Sequence, residues 1–328
     1  MKTTLAMAMT TDSATITPLT EGCHLCPRLC GARREAGERG LCGAGAQVRV
    51  ARAALHFWEE PPISGEAGSG TIFFAHCPLG CLYCQNRAIS HEEVGEVASV
   101  QRLAALMLDL QARGALNINC VTPTHYAPTI REAVARAREE GLDLPIVWNT
   151  SGYETVEAIR ANRGTVDVYL TDFKYADASL GERYSRVRDY PQRALAALEA
   201  MVEAVGAPCF DEYRGEGRMV GGVVVRHLLL PGHLDDSKRV VALLHERFGE
   251  NIRFSLMNQY TPVLATAAAA GDEDAARILG LFPHLGETVP EADYEELLDH
   301  ADSLGVQDYF WQQGGACSES FIPEFPVR

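Results

Sequence analysis

Three closely spaced cysteines are the residues best suited to carry chemistry. Cys77, Cys81 and Cys84 lie in HCPLGCLYCQN, directly after the apolar run TIFFAH at 71–76. Three thiolates on one tight loop can hold three corners of a cubane [4Fe–4S] cluster, whose usual protein ligation is four cysteines. A structural zinc site completed by His76 is the alternative, although zinc sites favour paired C-x2-C or C-x4-C spacings. The spacing therefore favours an iron–sulfur cluster with one iron open to a small molecule.

A second cysteine group lies nearer the N-terminus. Cys23, Cys26, Cys30 and Cys42 form C-x2-C-x3-C-x11-C in a glycine-rich segment with little apolar content. Four thiolates suffice for a closed tetrahedral zinc site or for a closed iron–sulfur cluster. A segment so poor in apolar residues needs a cross-link to fold, so we expect a second metal site, with zinc and iron–sulfur both open. Free thiols in a plain loop are the alternative.

The charge and composition exclude several classes of partner. The chain has 328 residues, with 29 Lys+Arg against 44 Asp+Glu and a formal net charge of −15. Such acidity argues against non-specific binding to nucleic acid or to an anionic membrane. No apolar stretch approaches the roughly 20 residues of a membrane-spanning helix. Ten cysteines in a chain without a signal-peptide core indicate metal ligands rather than disulfides, and the sequence predicts a cytoplasmic protein.

Strand-like and helical patterns alternate from about residue 70 onward. The strand-like runs are 71–76, 117–121, 145–149, 166–172, 221–230 and 252–257. Helical spacing of apolar residues follows Ser99 and recurs at 128–141, 153–162, 191–205 and 236–248. Six strands alternating with helices predict a parallel sheet, as an open or partial barrel or as a doubly wound sheet. In both folds the chemistry takes place at the C-terminal ends of the strands.

The C-x3-C-x-Tyr-C loop after the first of six strands resembles the radical S-adenosylmethionine superfamily. Longer strings resemble an uncharacterised subgroup related to pyruvate formate-lyase activating enzyme: CHLCPRLC (23–30), HFWEEPPISG (56–65), GSGTIFFAHC (68–77), VTPTHYAP (121–128), NTSGYE (149–154), RHLLLPG (226–232), SLMNQYTP (255–262) and SESFIP (318–323). The resemblance implies an α/β fold, a partial (β/α)6 TIM-like barrel with an N-terminal cysteine-rich metal-binding segment. The implied units are a flexible lead-in at 1–20, a cysteine-rich module at 21–66, the barrel at 67–262 and a C-terminal extension at 263–328.

The resemblance also implies the chemistry. In this superfamily the open iron chelates S-adenosylmethionine, and an electron from the reduced cluster cleaves the sulfonium C–S bond. The products are methionine and a 5′-deoxyadenosyl radical, which abstracts hydrogen from a substrate. The cofactor performs the hard step, while the protein supplies placement and exclusion of water. A one-electron donor such as flavodoxin or ferredoxin is implied, and the substrate is either a glycyl-radical protein or a small molecule or peptide.

The resemblance assigns roles to particular residues. Asp172 and Lys174 match an Asp-x-Lys after the fourth strand, with the acid near a cation or the methionine carboxylate and the lysine close to the reaction centre. Arg226 suits the ribose or carboxylate of the cofactor, because its fork of donors matches paired oxygens. The remaining residues implied to bind the cofactor are Tyr83, Thr122, Pro123, Thr124, Asn149, Thr150 and Ser151.

Three departures from the activating enzymes bear on the substrate. Thr122, Pro123 and Thr124 occupy the place of a Gly-Gly-Glu stretch. Tyr260 occupies the place of a histidine after the sixth strand, and Asn149 that of an acid in the third-strand motif. No cysteine-rich insertion follows Cys84. These departures weaken the case for a glycyl-radical substrate without weakening the case for radical chemistry. From the cysteines alone, a non-catalytic iron–sulfur electron carrier or a zinc-stabilised binding module is the alternative function.

Several other residues have two open interpretations. Trp58, Glu59 and Glu60 either line the cluster entrance or pack the first loop. Cys317 either donates a hydrogen atom to a substrate radical or is an ordinary loop thiol. The tail around 312–322 is expected to cap the substrate side of the barrel.

Overall fold

One large sheet positions the other elements of the molecule. The computed structural model describes residues 22–91 and 94–312. Its strands are β1 Val48–His56, β2 Ser69–Phe74, β3 Glu96–Ala98, β4 Ile118–Val121, β5 Ile146–Thr150, β6 Val168–Asp172, β7 Cys209–Tyr213, β8 Glu216–Leu228, β9 Arg253–Met257 and β10 Phe310–Trp311. Its α-helices are α1 Pro61–Ser64, α2 Arg87–Ser90, α3 Val100–Ala112, α4 Ala127–Glu139, α5 Val156–Ala161, α6 Ala178–Ser185, α7 Tyr190–Val205, α8 Leu234–Phe248, α9 Val263–Ala269, α10 Glu273–Leu281 and α11 Glu291–Leu304.

The six central strands run parallel and are neighbours in chain order. β2 pairs with β4, β4 with β5, β5 with β6, β6 with β8, and β8 with β9. β1 and β3 extend one edge in the antiparallel sense, and β10 extends the other edge parallel to β9. Within the described residues the edge strands β3 and β10 do not pair with each other. The predicted α/β fold with a partial (β/α)6 barrel is therefore confirmed.

The local sequence explains why these elements form. All six residues of β2 are buried, as expected of a parallel strand that is covered on both faces. Helix α3 begins at the predicted place, because the Ser99 side chain accepts a hydrogen bond from the backbone amide of Arg102. Its buried residues Leu103, Met107 and Leu110 follow helical spacing and pack toward the core. The helices therefore cover a sheet whose strand ends stay available for a site.

Strand β1 has no counterpart among the predicted elements. Its sequence, VRVARAALH, mixes arginine with small apolar residues and gives only a weak strand signal. Its partner supplies the missing stabilisation, because β1 pairs antiparallel with β2 over most of its length. The cysteine-rich segment thus continues directly into the sheet. The domain boundaries at residues 66 and 262 stay predictions.

Three α-helices follow the last barrel strand, β9, within the part of the chain that the structure describes. The segment 264–286, which interrupts the strand–helix alternation, contains α9 and α10, and α11 packs against α8. The predicted lead-in at 1–20 and Cys317 lie outside the described residues. Over the residues that the structure describes, no helix combines the length and apolar character needed to cross a bilayer.

Candidate active site

A cavity of about 270 Å³ opens at the C-terminal ends of the parallel strands. The ends of β5, β6 and β8 and the loop after β2 contribute to its wall. The residues predicted from the sequence that line it are Cys77, Cys81, Cys84, Tyr83, Thr122, Asn149, Thr150, Ser151, Asp172, Lys174 and Arg226. Trp58, Glu59 and Glu60 also line it, whereas Pro123 and Thr124 do not. The fold therefore brings most of the predicted site residues into one space.

The loop with the three cysteines is held by hydrogen bonds from neighbouring elements. Ser185 Oγ donates to Cys81 Sγ at 3.2 Å, and Ser90 Oγ donates to Cys84 Sγ at 3.6 Å. The backbone amide of Leu82 donates to the carbonyl of Tyr184 at 2.9 Å. Three thiols on a fixed loop at a cavity wall suit a [4Fe–4S] cluster with one iron facing the cavity. The donor set therefore fits the group that the spacing predicts.

Arg226 is the centre of a buried polar network. It donates from Nε to Asp172 Oδ1 at 2.9 Å, from Nη1 to Glu59 Oε2 at 3.1 Å, and from Nη2 to Asn149 Oδ1 at 2.6 Å. Lys174 Nζ donates to the other carboxylate oxygen of Asp172 at 2.7 Å. We call these five residues the cavity network. It joins the ends of β5, β6 and β8 to the loop after β1.

Opposite charges keep Asp172 and Lys174 of the cavity network ionised. Burial raises the pKa of Asp172, but Lys174 and Arg226 outweigh burial and bring that pKa below its usual value. Burial lowers the pKa of Lys174, but Asp172 outweighs burial and leaves the lysine pKa raised. For Glu59, burial outweighs the attraction of Arg226 and raises the pKa. The strand ends therefore present a fixed ion pair to whatever occupies the cavity.

A buried carboxyl group lies beneath the cavity wall. Thr124 Oγ1 and Thr150 Oγ1 both donate to Glu154 Oε1, at 2.5 and 2.6 Å. Burial raises the pKa of Glu154 to about 7 despite these two hydrogen bonds. Thr124 is thus committed to Glu154 in this structure, and its implied cofactor role stays a prediction.

Tyr83 lies within a group of tyrosines beside the cysteine loop. Its hydroxyl is 2.7 Å from the hydroxyl of Tyr175, and its ring contacts those of Tyr184 and Tyr260. Only 5% of Tyr83 is exposed, although part of it borders the cavity. Its contact with the cofactor stays a prediction.

Tyr190 and Gly152 fix the spacing between two strand ends. The Tyr190 hydroxyl donates to the carbonyl of Ser151 and accepts from the backbone amide of Lys174, both at 2.9 Å. Gly152 has φ of +77°, and a Cβ there would lie 2.2 Å from the carbonyl oxygen of Asp172. Sequence reasoning missed Tyr190, because nothing in its local pattern indicates a contact with two loops.

The N-terminal cysteines form a separate group. Cys23 and Cys26 are buried, and no disulfide joins any of the described cysteines. Arg34 Nη2 donates to Cys42 Sγ at 3.5 Å, and its Nη1 donates to the carbonyl of His125 at 2.6 Å. Among the described residues, no three His, Cys, Asp or Glu side chains stand close enough to hold a single metal ion. The ligand roles of Cys23, Cys26, Cys30 and Cys42 stay predictions.

Comparison with known proteins identifies the class to which this barrel and its cysteine loop belong. The sequence model of the radical SAM superfamily matches residues 71–244, more than half of the chain. The chain belongs to this superfamily. Its cofactors are accordingly a [4Fe–4S] cluster and S-adenosylmethionine, it is an enzyme of S-adenosylmethionine-dependent radical chemistry, and it needs a reductant.

The individual proteins that the chain resembles share less than a third of its residues. The uncharacterized protein MJ0674 of Methanocaldococcus jannaschii is 29% identical over 252 residues, which cover 74% of this chain and 67% of that protein. Two structures of Streptococcus suis SuiB are 15% identical over 73% of this chain. The one bound to precursor peptide SuiA has a TM-score of 0.46, and the one bound to S-adenosylmethionine has 0.44. The match spans 46% and 45% of those two chains, which is less than half of their length.

Proposed function

We propose that this enzyme cleaves S-adenosylmethionine reductively in the cavity and abstracts hydrogen from a bound substrate. Cys77, Cys81 and Cys84 hold the cluster in this proposal. The observation that carries it is the presence of these three thiols and the Arg226 network in one cavity wall. When bound, the cluster supplies the electron that cleaves the sulfonium C–S bond.

The residues of the strand ends place the cofactor in this proposal. Arg226 and Lys174 present cationic donors that suit the carboxylate and ribose oxygens of S-adenosylmethionine. Asp172 holds both cations at 2.7 and 2.9 Å, so they need no rearrangement to meet the cofactor. Asn149, Thr150, Ser151 and Thr122 add polar groups from the neighbouring strands.

Electron paramagnetic resonance (EPR) of the anaerobically reconstituted, reduced protein tests the proposal. We expect a [4Fe–4S]⁺ signal that shifts on addition of S-adenosylmethionine, together with release of 5′-deoxyadenosine. A signal that ignores the cofactor would instead support a non-catalytic electron carrier. Zinc in place of iron at the three cysteines would support a binding module, and either result would reject the proposal.

The substrate class separates two versions of the proposal. A glycyl-radical protein and a small molecule or peptide both fit a hydrogen-abstracting enzyme. Incubation of the reduced holoenzyme with S-adenosylmethionine and a candidate glycyl-radical protein would give a stable glycyl signal in the first version. Absence of that signal, with 5′-deoxyadenosine still formed, would favour the second version.

The N-terminal cysteines hold a second metal site in this proposal, and flavodoxin or ferredoxin delivers the electron. Cys23 is buried with Leu25 and Ala32 in a very small apolar cluster, against which the half-buried Cys30 packs. Such a segment gains most of its folding free energy from a bound metal. Metal analysis of the purified protein should find either one zinc or additional iron and sulfide beyond one [4Fe–4S] cluster.

A further inference from the structure

One acid in the cavity wall has no partner for part of its carboxylate. Glu60 is 7% exposed, and its Oε2 is buried without a hydrogen-bond donor among the described residues. Burial raises the pKa of this carboxyl, although Arg226 and a hydrogen bond with Ser255 favour its charged form. A buried carboxylate oxygen with no partner costs free energy unless a ligand supplies the missing donor or charge.

Glu60 also differs from the other acids of the cavity wall in its ion pairing. The described lining residues include the acids Glu59, Glu60 and Asp172 against the bases Lys174 and Arg226. Asp172 pairs with both bases, and Glu59 pairs with Arg226. Among the described acids of the wall, Glu60 is therefore the one without an ion pair.

The wall of the same cavity also carries an aromatic side chain. Trp58 lines the same cavity, and 62% of it is exposed, although a large apolar side chain is normally buried. The face of an indole ring attracts cations, and the attraction adds to that of a nearby carboxylate. Aromatic and acidic groups in one wall are the usual means of binding an ammonium group.

We propose that Glu60 and Trp58 bind a positively charged nitrogen of the substrate. The proposal rests on the proposed function, because it takes the cavity as the place where the substrate lies. The substrate class is then a compound or peptide that carries a protonated amine. S-adenosylmethionine is itself cationic, so the test must separate the substrate from the cofactor.

Calorimetric titration of the anaerobic holoenzyme with n-butylammonium and with neutral n-butanol tests this site. We expect n-butylammonium to bind at least ten times more tightly than n-butanol. Glu60→Gln should remove that preference, whereas Glu60→Asp should keep most of it. Trp58→Leu should weaken the binding of n-butylammonium about threefold. Glu157→Gln, an exposed acid on α5, is the matched control and should change nothing.

Three outcomes would overturn the proposal. Equal binding of the two probes would show that the cavity does not select a cation. Unchanged preference in a folded Glu60→Gln variant would place the cation elsewhere. Loss of S-adenosylmethionine affinity without loss of n-butylammonium affinity would assign Glu60 to the cofactor. An EPR signal insensitive to S-adenosylmethionine in the unaltered protein would instead reject the proposed function.

A second inference rests on a different side chain, Arg28, which lies between Cys26 and Cys30. Its guanidinium donates to four backbone carbonyls, at 2.9 to 3.0 Å. The acceptors are those of Pro78, Leu79, Ser185 and Arg186. Pro78 and Leu79 lie between the first two cysteines of the cluster loop. One side chain of the N-terminal group therefore holds the loop that carries Cys77 and Cys81.

We infer that Arg28 is a positioning residue that couples the N-terminal cysteine site to the cluster loop. A metal bound by Cys26 and Cys30 would fix the backbone of Arg28, and Arg28 would then fix the spacing of the cluster loop. A guanidinium can satisfy four acceptors in fixed directions, whereas a lysine ammonium has one nitrogen and three donors. This inference rests on the proposed metal sites.

Hydrogen–deuterium exchange of the holoenzyme measures the coupling without relying on activity. The amides of Leu82 and Cys84 are hydrogen-bonded and report the order of the loop. We expect Arg28→Lys to raise their exchange about tenfold and to alter the EPR line shape of the cluster. Arg33→Lys is the matched control, because Arg33 lies in the same segment and pairs with Glu38 at the surface.

A third variant tests the coupling between the N-terminal cysteines and the cluster loop. Cys26→Ser should raise loop exchange as much as Arg28→Lys does, and the double variant should add nothing further. Unchanged exchange in Arg28→Lys would overturn the positioning role. A loop that Cys26→Ser leaves protected would overturn the coupling.

Discussion

The cavity network lies on the ends of parallel strands, whereas the cysteine segment (residues 22–47) has little regular structure of its own. In the first region, backbone pairing between β5, β6 and β8 fixes the side chains, and each charge meets an opposite charge. In the second, a 3-10 turn at Arg34–Ala36 and a small apolar cluster are the main internal support. Arg28 and Arg34 tie that segment to the barrel. The sheet therefore organises one site, whereas long-range hydrogen bonds and, in our proposal, a bound metal organise the other.

Replacing the centre of the cavity network should give the largest effect. Arg226→Lys keeps the positive charge but cannot donate to Asp172, Glu59 and Asn149 together. Each hydrogen bond to a charged group contributes about 1.5–3 kcal/mol, so the loss of two of them should lower formation of 5′-deoxyadenosine at least about a hundredfold. Arg218→Lys is the control, because Arg218 lies on the same strand but pairs with Asp211 outside the cavity. Equal losses in both variants would show a general effect on folding.

Removing one thiol of the cysteine segment should come next. Cys26→Ser takes away a buried ligand of the proposed second metal site, so that metal should be lost while iron at the cluster loop is kept. We expect the free energy of unfolding to fall by about 3 kcal/mol or more, because metal binding is folding free energy in such segments. Metal analysis and denaturant titration check both parts. An unchanged metal content would contradict the second site.

Glu154→Gln tests the buried carboxyl beneath the cavity through the pH dependence of stability. The folded pKa of Glu154, about 7, lies above its ordinary value of 4.5. Its stability contribution is therefore complete below pH 4.5 and is lost as the pH rises to about 7. Relative to the original protein, the free energy of unfolding of the variant should rise by up to about 3 kcal/mol over that pH range. Denaturant midpoints from pH 5 to 8 measure the gain, and parallel curves for the two proteins would refute the assignment.

Arg34→Lys should have the smallest effect of the four. Arg34 is 2% exposed and donates from separate nitrogens to Cys42 Sγ and to the carbonyl of His125. Lysine keeps the charge but cannot reach both acceptors in the same directions, so a loss of about 1–2 kcal/mol is expected. Thermal unfolding of both proteins measures it. A loss as large as that of Cys26→Ser would mean that hydrogen bonds, not metal, hold the segment.

The sequence predicted the site best where the sheet alone decides position. Asn149, Asp172 and Arg226 lie within the last three residues of parallel strands, so their meeting follows from strand order. Glu59 reaches Arg226 from a loop after β1, a strand whose own sequence signal is weak. Tyr190 begins α7 and contacts two loops across space. Such contacts depend on tertiary packing, which no local pattern encodes.

The missing side chain of Gly152 has a consequence for the evolution of this enzyme. The Asp172 carbonyl occupies the space where a β-carbon would stand, 2.2 Å away, and the backbone is in the left-handed region. Any other residue would push apart the two strand ends that carry Thr150 and Asp172. A saturation library at this position should therefore return glycine alone among functional clones. Substitutions at other positions could make a side chain tolerable here only if they also moved one of the two strand ends.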